Sequence, residues 1–279
     1  MLTLAEASTY FDRTEILDPD NGNLLFYGQI DPFDDSKRDA GGAYRRILSV
    51  APGTPVPSNR AIRALGRVYL MGTEEVDGLE EQHRIKYVLQ AAASSVTIHR
   101  LPGFVSGVPA GTAWASIQWV KDGKEIGTSS DIAHEYTIFL GLGADVRAQD
   151  VVTAGGKAYL VISSRPQPSG FLTAESVELD YALSQASITG RTYDAVAGSY
   201  TASAPVAVNC ARVRWQNLFS QRAEAAAQYK DGDDTLVFPT GTTLNTTSRI
   251  TLAGKPWQVV SVDTLGGAVT VHARPAWAS

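Results

Sequence analysis

The chain carries one short motif three times, and this repeat constrains the fold more than any other feature. In each copy a β-branched residue stands four positions before a glycine, a basic residue follows the glycine, and an aromatic residue comes three positions after it. The copies are about 90 to 100 residues apart, a spacing that predicts three copies of one structural unit. The three segments are Ile62–Met71, Val152–Val161 and Ile250–Val259.

Each motif is typical of a β-hairpin. The glycine supplies the positive φ that a tight turn needs, and the residues on both sides favour strands. Because side chains alternate between the two faces of a strand, Trp257 and Val259 are predicted to share one face and Gln258 to lie on the other.

The flanks of the motif repeat as well. Each unit has an aromatic strand and a second apolar strand before the hairpin, and a closing strand after it. The segments are 24–27, 47–50 and 84–89 in the first unit, 116–119, 137–139 and 175–179 in the second, and 212–215, 236–238 and 268–272 in the third. An open five-stranded sheet would leave unpaired edges, so we expect each unit to close into a small barrel.

The sequence therefore predicts an all-β fold of three tandem five-stranded β-barrels with minor helical insertions. The predicted divisions are an N-terminal arm at 1–17 and barrels at 18–93, 94–184 and 185–279. The small, polar segments 91–95 and 184–187 are interpreted as linkers. Segments 3–11 and 221–228 have the capping pattern or the composition of short helices.

Composition narrows the function classes. The 279 residues carry a formal net charge of −5 and contain one cysteine, which argues against a nucleic-acid coat and an intramolecular disulfide framework. No apolar run approaches the ~18 residues that a membrane span requires, so we expect no membrane association. The first fifteen residues lack the basic and apolar segments of a secretory signal.

No arrangement of catalytic or metal-binding residues stands out. The four histidines do not have metal-site spacing, and there is no nucleophile elbow or phosphate-binding loop. His134 lies near Asp131 and Glu135, which allows a general base, but a solvated loop explains the same residues. We therefore predict that the chain is not an enzyme, has no catalytic residues and binds neither cofactor nor metal.

The basic residue of each motif is the candidate interaction site. Arg67, Lys157 and Lys255 occupy matched positions and could present three cations to an acidic partner. The alternative is that each charge only discourages edge pairing at a hairpin turn.

The hairpin pattern resembles that of the head–tail joining proteins of tailed bacteriophages, the stopper or head-closure class. The closest stretch is Thr251–Val262 followed by Ala268–Ala273, and Asp150–Ile162 is next. Members of that family usually carry a single barrel, whereas this chain carries the pattern three times.

The resemblance implies a structural protein of the virion that forms a ring at the neck or tail. Such rings often contain six or twelve copies, contact portal, adaptor and tail proteins, and surround passing DNA without sequence-specific binding. A head-to-tail interface closes into a ring when its rotation fits, and an acidic chain would not grip DNA phosphates. The protein would be made in the host cytoplasm and end in the virion.

Two alternatives stay open. The chain could be a tail-tube or other tail-associated protein. It could also be a multi-module carbohydrate-binding or adhesion protein. Exposed aromatic residues at the matched positions Tyr69, Tyr159 and Trp257 would indicate that function, although their strand context favours the core.

Overall fold

The fold is known from a computed structural model, which describes residues 14–32, 45–51, 53–56, 61–75, 85–119, 136–179, 183–213 and 232–276. Across these ranges the chain forms twenty β-strands and one short α-helix. Eighteen strands make three closed barrels, and the other two form a separate hairpin. The predicted all-β class and the tandem-barrel architecture are confirmed.

The first barrel contains β1 (Thr14–Leu17), β2 (Leu24–Pro32), β3 (Arg45–Val50), β4 (Ala61–Ala64), β5 (Arg67–Glu75) and β6 (Ile85–Ala92). The second contains β7 (Ser94–His99), β8 (Gly111–Trp119), β9 (Tyr136–Gly141), β10 (Val151–Ala154), β11 (Lys157–Pro166) and β12 (Phe171–Glu178), with helix α1 (Leu101–Ser106) between β7 and β8. The third contains β13 (Leu183–Thr189), β16 (Val206–Val213), β17 (Asp234–Phe238), β18 (Arg249–Leu252), β19 (Lys255–Leu265) and β20 (Ala268–Pro275). The separate hairpin is β14 (Arg191–Asp194) and β15 (Ser199–Ala202).

All three barrels have the same topology. If the strands of each barrel are labelled a to f in chain order, the antiparallel neighbours run a-b-c-f-e-d, and d pairs with a to close the barrel. In the third barrel the hairpin β14–β15 is inserted between strands a and b. The predicted triplication is therefore present in the backbone as well as in the sequence.

Each barrel has six strands rather than the predicted five. The strand that the sequence pattern missed is strand a in every copy: β1, β7 and β13. The segments interpreted as linkers, 91–95 and 184–187, are largely strand, and only Ala93 separates β6 from β7. Their small polar residues resemble a linker, but closing the barrel requires strand a to pair with both b and d. Strand β1 also extends the first barrel into the predicted arm, and Leu183 and Ser184 belong to the third barrel.

The motif glycines lie in two-residue hairpin turns, as predicted. In each turn both central residues have positive φ: Leu65 and Gly66, Gly155 and Gly156, Ala253 and Gly254. Two positive φ angles define a type I′ turn, whose twist matches that of the flanking strands. The basic residue after the turn begins strand e in every barrel.

Strand e has a bulge at the same place in each barrel, beginning five residues after the turn glycine. A bulge bends the strand and so helps a six-stranded sheet to close. Each barrel then encloses its own apolar core, in which the motif residues at the β-branched and aromatic positions are buried together.

Two predicted helices, at 3–11 and 221–228, and most of the N-terminal arm lie outside the described residues. The described helix, α1, was not predicted. It begins after Arg100 with a proline in its first turn and ends at Gly107, which has a left-handed conformation.

Candidate interaction surface

The three matched cations lie at equivalent places in three different barrels. Arg67, Lys157 and Lys255 are each exposed as the first residue of strand e. Within the described residues no hydrogen bond or ion pair joins one of them to another. Their proposed role as contacts for an acidic partner stays a prediction.

Lys157 belongs to a polar cluster at the turn end of the second barrel. Its Nζ donates to Glu178 Oε2 at 2.9 Å, and the Tyr136 hydroxyl donates to the same oxygen at 2.8 Å. The hydrogen bond from Lys157 is the main cause that lowers the pKa of the Glu178 carboxyl. Because an exposed ion pair contributes little to stability, this contact leaves Lys157 able to exchange Glu178 for another acidic group.

The matched aromatics are core residues. Tyr69, Tyr159 and Trp257 are 3%, 5% and 6% exposed, and each packs inside its barrel. Exposed rings at these positions would have indicated the carbohydrate-binding alternative, so the buried rings give it no support.

A second polar cluster, which the sequence did not reveal, is buried in the third barrel. The Asp233 carboxylate accepts two hydrogen bonds from Arg274, at 2.9 and 2.8 Å, and lies 2.7 Å from His272 Nε2. The side chains of Asp233 and His272 are 1% and 2% exposed. Burial lowers the pKa of the His272 imidazole. The cluster ties the residue just before β17 to β20.

His83, His134 and Asp131 lie outside the described residues. Among the described residues there is no group of three or more histidine, cysteine or acidic side chains arranged to hold a metal ion. The described part of the chain also contains no helix of the length and apolar character needed to span a membrane.

The junction between the first two barrels is apolar. Ala61, Leu70 and Val88 lie on the outer face of the first barrel and pack against Phe171 of the second, with Trp114 and Phe139 beside them. Gly72 lies at the same junction, where an added Cβ would come within 2.3 Å of the Ser169 carbonyl oxygen. The two backbones therefore approach closely, which fixes how the barrels pack.

The junction between the second and third barrels uses the same faces. Leu160, which occupies the position of Leu70 in the repeat, packs with Val151 and Val177 against strands b and c of the third barrel. Helix α1 adds Phe104 and Val105 to this cluster. In both junctions, strands d, e and f of one barrel present their outer face to the next barrel along the chain.

In the third barrel this outer face is polar. Gln258 stands where Leu70 and Leu160 stand in the other barrels, and Arg249 stands where Ala61 and Val151 stand. Both are exposed. A polar outer face of this kind is stable in water without another barrel packed against it, as in the capping repeats of other repeat proteins.

The most exposed part of the described chain is the hairpin β14–β15. Every residue from Thr192 to Ala207 is exposed, and Val196 at the tip is 99% exposed. Tyr193 and Tyr200 face one another across the hairpin with ring centroids 5.2 Å apart. A two-stranded hairpin is only marginally stable in water by itself, and the exposed tyrosines of this one offer an apolar surface to a partner.

A comparison with known proteins finds no matching family, no matching curated protein and no matching solved structure.

Proposed function

We propose that this chain is a structural protein of a tailed-phage virion, which forms a ring at the head–tail junction and joins the portal to the tail around the DNA channel. The observation that carries the proposal is the series of three barrels with one topology and equivalent apolar junctions. This arrangement presents a long, stiff series of barrels through which copies can contact one another. The resemblance of the hairpin pattern to that of phage head–tail joining proteins is the reason for placing the chain in a virion.

Charge supports the same role. A ring that surrounds DNA must let the phosphates pass, and a basic wall would hold them. The chain has 29 acidic and 24 basic residues, which gives a formal net charge of −5. We propose that Arg67, Lys157 and Lys255 contact acidic groups of neighbouring subunits or of portal and tail proteins rather than DNA.

The proposal is tested by assembly of the full-length chain. Native mass spectrometry and electron microscopy of the purified protein should show rings of one size, with six or twelve copies. Gold-labelled antibodies against the chain should bind the neck or tail of the parent virions. A chain that stays monomeric at tens of micromolar, and binds a glycan in that state, would favour the adhesion alternative instead.

A further inference from the structure

The connection between strands a and b behaves alike in the first two barrels: it contacts the barrel that follows. In the first barrel this connection is a turn that contains Asp20. The Oδ1 atom of Asp20 accepts a hydrogen bond of 2.9 Å from Nε1 of Trp114, which lies on strand b of the second barrel. The turn therefore helps to fix the first junction.

In the second barrel the same connection is helix α1. Its buried residues Leu101, Phe104 and Val105 pack against Ala211 and Val213, which belong to strand b of the third barrel. Although a turn and a helix have little in common, both reach strand b of the next barrel. The contact thus depends on where the connection lies in the fold, and not on whether the connection is a turn or a helix.

In the third barrel the connection is the hairpin β14–β15, whose residues 192–202 are all exposed. We propose that this hairpin docks on strand b of the first barrel of a second copy, so that the series of barrels continues from one chain to the next. This inference rests on the proposed assembly into rings and names the surfaces that would join the copies.

The first barrel offers a receiving position that matches the intramolecular one. Tyr27 on β2 pairs with Glu15, and Trp114 on β8 pairs with Ser95. The two strand-a residues Glu15 and Ser95 hold equivalent positions. Each lies two residues before the strand-a residue whose partner on strand d stands three positions before the turn glycine. Tyr27 therefore occupies the place of Trp114, which already contacts the preceding barrel.

The receiving surface is partly apolar and open. Tyr27 is half-buried, and Leu24 at the start of the same strand is 46% exposed. The hairpin brings Val196, Tyr193 and Tyr200 to it. Tyrosine buries a large ring at a small cost in conformational entropy, so two tyrosines suit the centre of a small interface.

Because the outer face of the third barrel is polar, it can add little to the proposed contact between copies. Within the chain, Leu70 and Leu160 bury apolar surface at each junction, whereas Gln258 at the third position cannot. A joint between copies must then depend chiefly on the hairpin. Such a joint is weaker than the internal junctions, and assembly should depend on protein concentration.

Cross-linking between engineered cysteines tests the docking directly. The full-length chain is prepared with Val196→Cys and Leu24→Cys together, with each substitution alone, and with the control pair Val108→Cys and Leu24→Cys. All three positions are exposed, and the native Cys210 is buried. A short bismaleimide should convert the first pair into a ladder of covalent dimers, trimers and larger species. The single variants and the control pair should give no ladder.

A second variant, Tyr193→Ser with Tyr200→Ser, tests the same contact without cross-linking. Both side chains are exposed, so the circular dichroism melt should not change, while the concentration for half-assembly should rise at least tenfold. Rings that form equally well in this variant, with no cross-linked ladder, would overturn the docking but leave the ring proposal intact. Covalent dimers from Val196→Cys alone would show contact between hairpins and also overturn it. If no variant or parent chain assembles at any concentration, the ring proposal fails as well.

Discussion

Ile250 lies directly opposite Trp257 across the third hairpin, and both side chains are buried in the barrel core. The first and second barrels place Ile62 opposite Tyr69 and Val152 opposite Tyr159 in the same way. A two-residue turn pairs the residue four before its glycine with the residue three after it. The spacing of the repeated motif therefore follows from the register of the hairpin. The β-branched and aromatic residues recur because they pack against each other in the core.

Replacing Trp257 with alanine should destabilise the third barrel by about 3–5 kcal/mol, because the change removes a buried aromatic and leaves a cavity. Urea unfolding followed by circular dichroism measures the loss. Trp119→Ala is the matched control: that ring is 62% exposed, and its loss should change the free energy of unfolding by about 0.5 kcal/mol or less. Equal midpoints for the two variants would contradict the placement of Trp257 in the core.

The sequence could predict these hairpins because all of their information is local. A glycine, its flanking strands and the alternation of Trp257, Gln258 and Val259 lie within a few residues, and the buried, exposed, buried pattern is found as expected. Prediction from the motif needed no knowledge of distant partners.

Substituting Ala253 with asparagine should stabilise the third hairpin. Ala253 has a φ of +51°, a conformation that costs an ordinary L-residue about 1 kcal/mol and that asparagine adopts more readily. The free energy of unfolding should rise by a few tenths to about 1 kcal/mol in urea titrations. The converse change, Gly155→Ala at the matched position of the second turn, should lower it. If both substitutions shift stability in the same direction, the type I′ geometry is not what determines the effect.

Adding a methyl group at Gly72 should disrupt the first junction. In Gly72→Ala the new Cβ would come within 2.3 Å of the Ser169 carbonyl oxygen and 3.2 Å of the Val88 carbonyl oxygen, so the backbones must move apart. Overpacking of this kind costs about 1–3 kcal/mol. Differential scanning calorimetry should show an earlier transition, and limited proteolysis should cut faster between the first two barrels.

Gly111→Ala provides the control for this change. Gly111 also lies in a strand, has no positive φ, and has no atom within 4 Å of an added Cβ. The Gly111→Ala variant should unfold at the same temperature as the parent chain or slightly above it. A Gly72 variant as stable as the Gly111 variant would show that the barrels do not approach as closely as the structure indicates.

Strand a and the junctions could not be predicted in the same way, because their partners are distant in sequence. Thr97 in β7 pairs with Thr153, more than fifty residues later, and the small polar residues around it resemble a linker until that partner is known. The junctions did leave a signal: the position four after the turn glycine is leucine, leucine and then glutamine in the three repeats. That pattern distinguishes the two barrels whose outer face packs against another barrel from the third, whose outer face is exposed. It can be interpreted only when it is known which face of each barrel the next one covers. The exposed hairpin at 191–202 has no counterpart in the other repeats, so the repeat could not reveal it.

The stability of the third barrel should fall as the pH decreases below about 6.5. Burial holds the pKa of His272 below its ordinary value of about 6.5, so near that pH the unfolded chain takes up a proton that the folded chain refuses. Stability due to this group is therefore complete above about pH 6.5 and is lost as the pH falls through it, with a slope of at most about 1.4 kcal/mol per pH unit. Urea unfolding at several pH values measures the slope.

His272→Gln should flatten this dependence, since glutamine can still donate to Asp233 but does not titrate. His99→Gln is the control, because His99 packs edge-on against Phe104 in the second barrel and has no carboxylate partner among its described contacts. If His99→Gln removes the slope and His272→Gln leaves it in place, the pH dependence does not come from the third barrel and the prediction is wrong.

The thiol of Cys210 should resist alkylation in the folded chain. Cys210 is fully buried on strand b of the third barrel, and burial raises its pKa to about 11, so almost no reactive thiolate is present at pH 8. Iodoacetamide at pH 8 should leave the native protein unmodified for hours and add one label per chain in strong urea, as intact mass spectrometry would show. The Val196→Cys variant, with its new thiol at the hairpin tip, should take one label within minutes at position 196. Rapid labelling of Cys210 in the native chain would mean that the third barrel opens readily, and it would also raise the background of any cross-linking at the hairpin.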